Sequence, residues 1–174
     1  MKTVFFDVDT QIDFLYPAGA LYVPQAESII AQVTRLNRIA PVLISTADAH
    51  TEDDPEFQIY PHHCVAGTFG QHKPAATLVG QTIVEKQALD CFSVPTLPAL
   101  LSELGAGRYV VYGVVTEICV RYAAFGLLKT GARVDIVTDA VKALDPKAAD
   151  RMFEEFRAAG GHLSTSEQIL GTYL

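Results

Sequence analysis

The sequence predicts a three-layer α/β protein, with a mostly parallel sheet covered by helices on both faces. Two observations carry that expectation. Apolar, β-branched runs recur along the chain, each about the length of a strand and without polar alternation, which is the pattern of strands buried on both faces. Segments with helical spacing separate most of them, and a parallel pair of strands needs such a crossover.

The elements follow in order. Residues 3–8 read as a buried strand, and 13–23, with Pro17 and Gly19, as a loop. Pro24 opens a helix whose positions Ala26, Ile29, Ile30, Val33 and Leu36 keep helical spacing. Residues 42–46 are a second strand. Residues 48–74 form a long polar loop with four of the five histidines, and a loop of that length inside a compact fold is usually functional. Residues 82–85 form a short strand, and 96–104 a helix ended by Gly105. Residues 109–115 are the next strand, followed by a helix over 117–130 that Gly131 stops. Residues 133–137 are a strand. Asp145 and Pro146 start a helix as N-cap and first residue, and it runs to Ala159. Residues 162–164 are a last strand, and Ser164 with Glu167 fits a capping box for a terminal helix.

Bulk properties narrow the function. A chain of 174 residues is expected to form one domain spanning 1–174 with a full core. A formal charge of −7 argues against nucleic acid or an anionic membrane as partner. No apolar run reaches transmembrane length, and Met1 leads straight into a strand without a signal-peptide pattern. Three cysteines with no CxxC pair suggest neither a disulfide framework nor a structural zinc site. A reduced, cytoplasmic protein is the expectation.

In doubly wound folds the active site lies outside the carboxyl ends of the strands. Asp9, Asp48, Lys86 and Cys119 all fall at expected strand ends. Cys119 sits in the first turn of a helix, where free backbone N–H groups and the helix dipole should lower its pKa and can hold an oxyanion. A carboxylate such as Asp9 can take the thiol proton and return it to a leaving group, and Lys86 would favour the thiolate. Asp48 and His50, two apart in an extended segment, point the same way and can share a metal ion. The tandem His62-His63 offers a third ligand and Glu56 a fourth, a set suited to Zn²⁺, Fe²⁺ or Mn²⁺.

Asp9, Lys86 and Cys119, in that order and setting, resemble the cysteine hydrolases of the isochorismatase and nicotinamidase superfamily. VDTQIDF, residues 8–14, is similar to that family's D-x-Q-x-D-F opening, which contains the catalytic Asp. Glu85-Lys86 with Phe92 downstream resembles the catalytic-lysine segment. GVVTEICV, residues 113–120, resembles the nucleophile motif, usually G-x-x-T-D-x-C-V. The resemblance spans nearly the whole chain. It implies a six-stranded sheet, a cis peptide between Val114 and Val115, and an oxyanion hole made by the amides of Val115 and Cys119.

The histidine loop divides that superfamily. Nicotinamidases carry D-x-H and then a W-P-x-H-C-V-x-G-T segment. This chain has Asp48-Ala49-His50 and then YPHHCVAGT over residues 60–68. Matched residue by residue, Asp48, His50 and His63 become the ligands of a divalent transition metal such as zinc, with Glu56 as an acidic fourth ligand and His62 at a variable position. Isochorismatases proper lack this set. Tyr60 replaces the usual Trp, Ala49 an aromatic, Ile12 an Asn and Glu117 an Asp. The resemblance implies cysteine-dependent hydrolysis of a small carboxamide such as nicotinamide to the acid and ammonia through a thioester. Phe14 and Tyr60 would stack on the ring. It also implies a homo-oligomer, dimer or tetramer. The alternative within the superfamily is a metal-independent hydrolase of another small substrate. A haloacid-dehalogenase-type phosphatase, suggested by Asp7 and Asp9 as a D-x-D pair, leaves Cys119 idle. A nucleotide-binding module lacks its Gly-rich loop.

Overall fold

The structure, a computed structural model, describes residues 1–173. Strand β1 (Thr3–Val8) leads into a short helix α1 (Ile12–Leu15) inside the segment expected to be a loop. The Pro24 region enters its helix through a 3-10 turn, Ala26–Ile29, and α2 proper is Ile30–Ile39, burying Val33, Leu36 and Asn37. Strand β2 is Leu43–Asp48 and β3 is Thr82–Lys86, and short 3-10 turns punctuate the long segment between them. Helix α3 (Thr96–Leu104) ends on Gly105 in the left-handed conformation, as expected. Strand β4 is Arg108–Val114.

The helix expected over 117–130 begins differently. Thr116–Val120 is a π turn, and α4 is Arg121–Leu128. Such turns are rare and frequent at functional sites. Strand β5 (Arg133–Lys142) runs beyond the expected end at Val137, because its register against β4 shifts between Val111 and Gly113 and pairing resumes. Helix α5 (Pro146–Ala158) has the expected start: the Asp145 carboxylate accepts from Lys147 N–H at 2.9 Å. Ala149, Met152 and Phe156 form its buried stripe. Strand β6 is His162–Ser164 and α6 is Ser166–Leu170. The capping box of α6 is one residue later than expected. Thr165 and Gln168 make it, because Ser164 ends β6 and turns its hydroxyl to Asp135 at 3.1 Å.

All strand pairs are parallel, in the order β3-β2-β1-β4-β5-β6. The strand order reverses at the centre of the sheet: β1 leads outward to β2 and β3 on one side, and β4 starts the other half on the other side of β1. Right-handed crossovers therefore put α2 on one face, where it packs with α6, and the helices after β3, β4 and β5 on the other. The core is the apolar filling of these layers, with Phe5, Phe6, Tyr109 and Tyr112 completely buried. Gly113 has φ +119°, and a Cβ there would run into the Val8 carbonyl. Only glycine lets β4 pass so close to β1, at the switch point of the sheet. No helix is long and apolar enough to cross a membrane among the described residues.

Candidate active site and metal centre

Asp9 follows β1, Lys86 ends β3 and Cys119 lies in the π turn after β4, so three strand ends bring these side chains together. The Lys86 ammonium is 3.0 Å from Asp9 Oδ2, ion-pairs with Asp48 Oδ1, and lies 3.7 Å from Cys119 Sγ. It also donates to the Ala88 carbonyl at 3.1 Å. Asp9 Oδ1 accepts from the Thr46 hydroxyl at 2.6 Å. Asp9 Oδ2 is buried without an aligned hydrogen bond among the described residues. Asp9 has φ 48°, a left-handed conformation that costs a non-glycine residue free energy and that clusters at reactive sites.

Burial dominates the electrostatics. It pushes the Asp9 carboxyl up, Lys86 pulls it down, Asp48 adds to the rise, and the balance is upward. Burial would lower the Lys86 ammonium, but Asp9, Cys119 and Asp48 together hold it well above its ordinary value. The Cys119 thiol is driven well up by burial, with Lys86 opposing and Asp9 and Asp48 reinforcing. This corrects the expectation of a lowered thiol pKa. Lys86, the cation beside the sulfur, is already shared by two carboxylates, so a third negative charge has no partner of its own among the described residues. Cys119 rests as a thiol beside a carboxylate whose basicity is raised.

The metal-ligand expectation meets a coherent geometry. His50 Nε2 lies 3.6 Å from Asp48 Oδ2, and His63 Nε2 lies 3.9 Å from the same oxygen and 3.6 Å from Glu56 Oε1. Ligand atoms of Asp48, His50 and His63 all fall within 4.8 Å of one another. Ligands of a tetrahedral zinc ion stand roughly 3.4 Å apart, given bonds of about 2.1 Å. His50 Nε2 is completely buried and has no hydrogen-bond partner among the described residues, a buried nitrogen that a bound cation would satisfy. Both imidazoles are locked with Nε2 inward: His50 Nδ1 lies 3.0 Å from Asp54 Oδ2, and His63 Nδ1 lies 2.7 Å from the Pro61 carbonyl. The residues fit a divalent cation. His62 is outside the group and stacks on Phe57 at 4.2 Å.

The long loop returns to deliver His63. His50 and Val65 form a parallel bridge, with His50 N–H donating to Cys64 O at 3.1 Å and Ala66 N–H donating to His50 O at 2.9 Å. Cys64 adopts φ 45°, and its N–H donates to Asp13 Oδ2 at 2.7 Å. Gln11 holds both backbone groups of Asp48: its Oε1 accepts from Asp48 N–H at 2.7 Å and its Nε2 donates to Asp48 O at 2.8 Å. Asp13, Gln11 and Asp54 were not among the candidate site residues. The N-cap pattern Asp54-Pro55 was the one local signal for the last of these.

Phe14 and Tyr60 line one small cavity with Cys119, Val114, Val115, His63, Glu56 and Asp48. Its free volume is about 20 Å³, room for a single water. Leu21, Leu89, Ile118 and Leu144 complete its apolar wall and were not anticipated. The Val114–Val115 peptide is cis. Asp7, the other half of the D-x-D pattern, takes no part in this cavity; Thr10, Asn37, Ser45 and Lys73 enclose it. A wider groove of about 1100 Å³ runs past Phe69, Leu78 and Ile83 along β3 and holds none of Asp9, Lys86 or Cys119.

The isochorismatase domain family matches residues 3–168. A nicotinamidase of Acinetobacter baylyi is 26% identical, over 94% of this chain and 92% of its own length. The crystal structure of a Pyrococcus horikoshii pyrazinamidase in complex with zinc superposes with a TM-score of 0.87 at 30% identity, covering 95% of this chain and 99% of the other. N-carbamoylsarcosine amidase of Thermoplasma acidophilum superposes with a TM-score of 0.80 at 28% identity, covering 95% and 97%.

Proposed function

The chain belongs to the isochorismatase domain family, and from that premise we propose that it is a metal-containing, cysteine-dependent amidohydrolase of a small aromatic carboxamide such as nicotinamide. The observation that carries the reading is the convergence of Asp9, Lys86 and Cys119 beside a donor set of Asp48, His50, His63 and Glu56. The amidase relatives support the reaction class.

The chemistry follows from the resting protonation states. Asp9, whose Oδ2 is held by the Lys86 ammonium at 3.0 Å, accepts the Cys119 proton as the sulfur attacks the amide carbon. Lys86 keeps the net charge of the cluster from rising. The backbone N–H groups of Val115 and Cys119 hold the oxyanion, each worth roughly 3 kcal/mol in comparable sites. Asp9 then gives its proton to the nitrogen, the C–N bond breaks and ammonia leaves, with a thioester on Cys119. Asp9 next deprotonates a water that attacks the thioester. The acid departs and the proton returns to sulfur. Asp48, His50 and His63, with Glu56, would hold a divalent ion whose Lewis acidity orients a ring nitrogen or a water. Phe14, whose ring lies 5.3 Å from His63, and Tyr60 line the single-water cavity beside Cys119, which has to widen for a flat ring to lie between them.

The test is ammonia release from nicotinamide by the purified protein, with metal content measured on the same sample. Turnover with about one equivalent of tightly bound transition metal is the expected result. Bound metal without turnover redirects the search to another amide. Turnover of another small substrate without metal moves the protein to the metal-independent branch.

A further inference from the structure

The Glu117 side chain ties the turn that carries Cys119 to the segment that carries Leu144, another lining residue of the cavity. Its Oε1 accepts two backbone N–H groups, from Leu144 at 2.9 Å and from Asp145 at 2.7 Å. Its Oε2 is buried without a partner among the described residues. Asp145 is fixed from the far side as the N-cap of α5, with Pro146 following. Residues 143–145 are thus clamped between the π turn and α5. Leu144, in the middle of that segment, lines the cavity that contains Cys119. Aspartate, usual at position 117 in the family motif, is one methylene shorter than glutamate. In this chain the carboxylate extends one bond further toward the Leu144 segment. The other apolar walls differ. Tyr60 belongs to the long loop, its N–H donating to Glu56 O at 3.0 Å, and Leu89 to the turn after β3.

We infer that Glu117 is a positioning residue that fixes Leu144 as the size-limiting wall of the pocket, so that this pair decides how bulky a group reaches Cys119. The inference takes its substrate, but not its geometry, from the amidohydrolase reading.

The test measures access to Cys119 with two alkylating probes, iodoacetamide and the larger N-phenyl iodoacetamide. Each forms an S–C bond as iodide leaves, and modification is followed on the Cys119 peptide by mass spectrometry so that Cys64 and Cys91 do not interfere. The readout is the ratio of the two rates on one sulfur, which a general loss of stability does not move selectively. Leu144→Ala should raise the ratio in favour of the phenyl reagent by about tenfold or more, the discrimination a few buried methylenes provide. Glu117→Ala should raise it similarly, and the double variant should add little, because one residue acts through the other. Glu117→Gln, which keeps an acceptor oxygen, should restore the wild-type ratio. An unchanged ratio in Leu144→Ala overturns the inference even if Glu117→Ala does not fold. Fully multiplicative effects in the double variant overturn it too. A shifted ratio in a protein that hydrolyses no amide keeps the clamp and removes the amidase reading.

Discussion

Asp7 and Asp9 stand at the end of β1, each against a buried lysine, yet their surroundings differ in kind. Asp7 Oδ1 accepts from Thr10 at 2.7 Å, and Oδ2 accepts from Asn37 and Ser45 at 3.1 Å each and from Lys73 at 3.3 Å. Lys73 also donates to Thr10 at 2.8 Å, and the Tyr112 hydroxyl holds Asn37 at 2.6 Å. Each member of that network is occupied, which is how a fold tolerates buried charge. Asp9 has one hydroxyl partner, Thr46, an Oδ2 held by the Lys86 ammonium at 3.0 Å, a left-handed backbone, and a lysine it shares with Asp48 and a thiol. On the proposed mechanism the difference separates structural from reactive charge: a carboxylate saturated by four donors anchors, and one that shares its lysine with Asp48 and a thiol has capacity left for a proton in flight.

The sharpest way to break that comparison is at the sulfur. Cys119→Ala should lower ammonia release by roughly 10⁴-fold or more, with an unfolding transition close to wild type. Retained turnover would remove Cys119 as nucleophile. On the saturated side, Lys73→Met leaves Asp7 buried without its counter-charge. It should cost about 3 kcal/mol or more in chemical denaturation while turnover per folded molecule changes little. An intermediate case is Asp54, which orients His50 from outside the donor set. Asp54→Asn should weaken metal binding about 10- to 100-fold in a chelator competition, whereas His50→Ala or His63→Ala should leave no stoichiometric metal.

The smallest expected effect comes from Asp135, a second saturated carboxylate at the other end of the sheet. Burial would raise its pKa, but Arg133 and Arg108, at 2.8 Å each, bring it down to about 2. A folded pKa below the unfolded one stabilises above pH about 4, and that stabilisation drains away as pH falls toward 2. It is worth about 1 to 2 kcal/mol, less than the full shift because Arg133 is half exposed and screened by water. The stability gap between wild type and Asp135→Asn should therefore be constant from pH 5 to 7 and close below pH 4. A gap independent of pH would show that Asp135 contributes through packing alone.

Much of this was legible in the chain. Strand ends are readable from apolar runs, so the shared location of Asp9, Asp48, Lys86 and Cys119 could be argued from position, and the three ordered motifs sharpened it. The tandem His62-His63 was readable as a third ligand, but the choice of His63 came only from the segment matched to the family, because a bridge between His50 and Val65 closes a loop with no periodicity of its own. Lys73 and Leu144 gave no signal: one is a lysine in a polar loop and the other a leucine after a strand, and only tertiary packing gives either a role. The direction of the Cys119 shift was misread because a helix-terminus argument assumes partial exposure, whereas here burial and the sharing of one cation by two carboxylates decide. The capping box moved by one residue because Ser164 finished a strand instead.

The most direct measurement pairs the two aspartates. Asp9→Asn and Asp7→Asn would be assayed together for ammonia release from nicotinamide and for unfolding free energy. The account predicts that Asp9→Asn loses about 10³-fold in turnover without losing stability, while Asp7→Asn loses stability and keeps turnover per folded molecule. Equal losses of turnover in both, or normal turnover in Asp9→Asn, would contradict it.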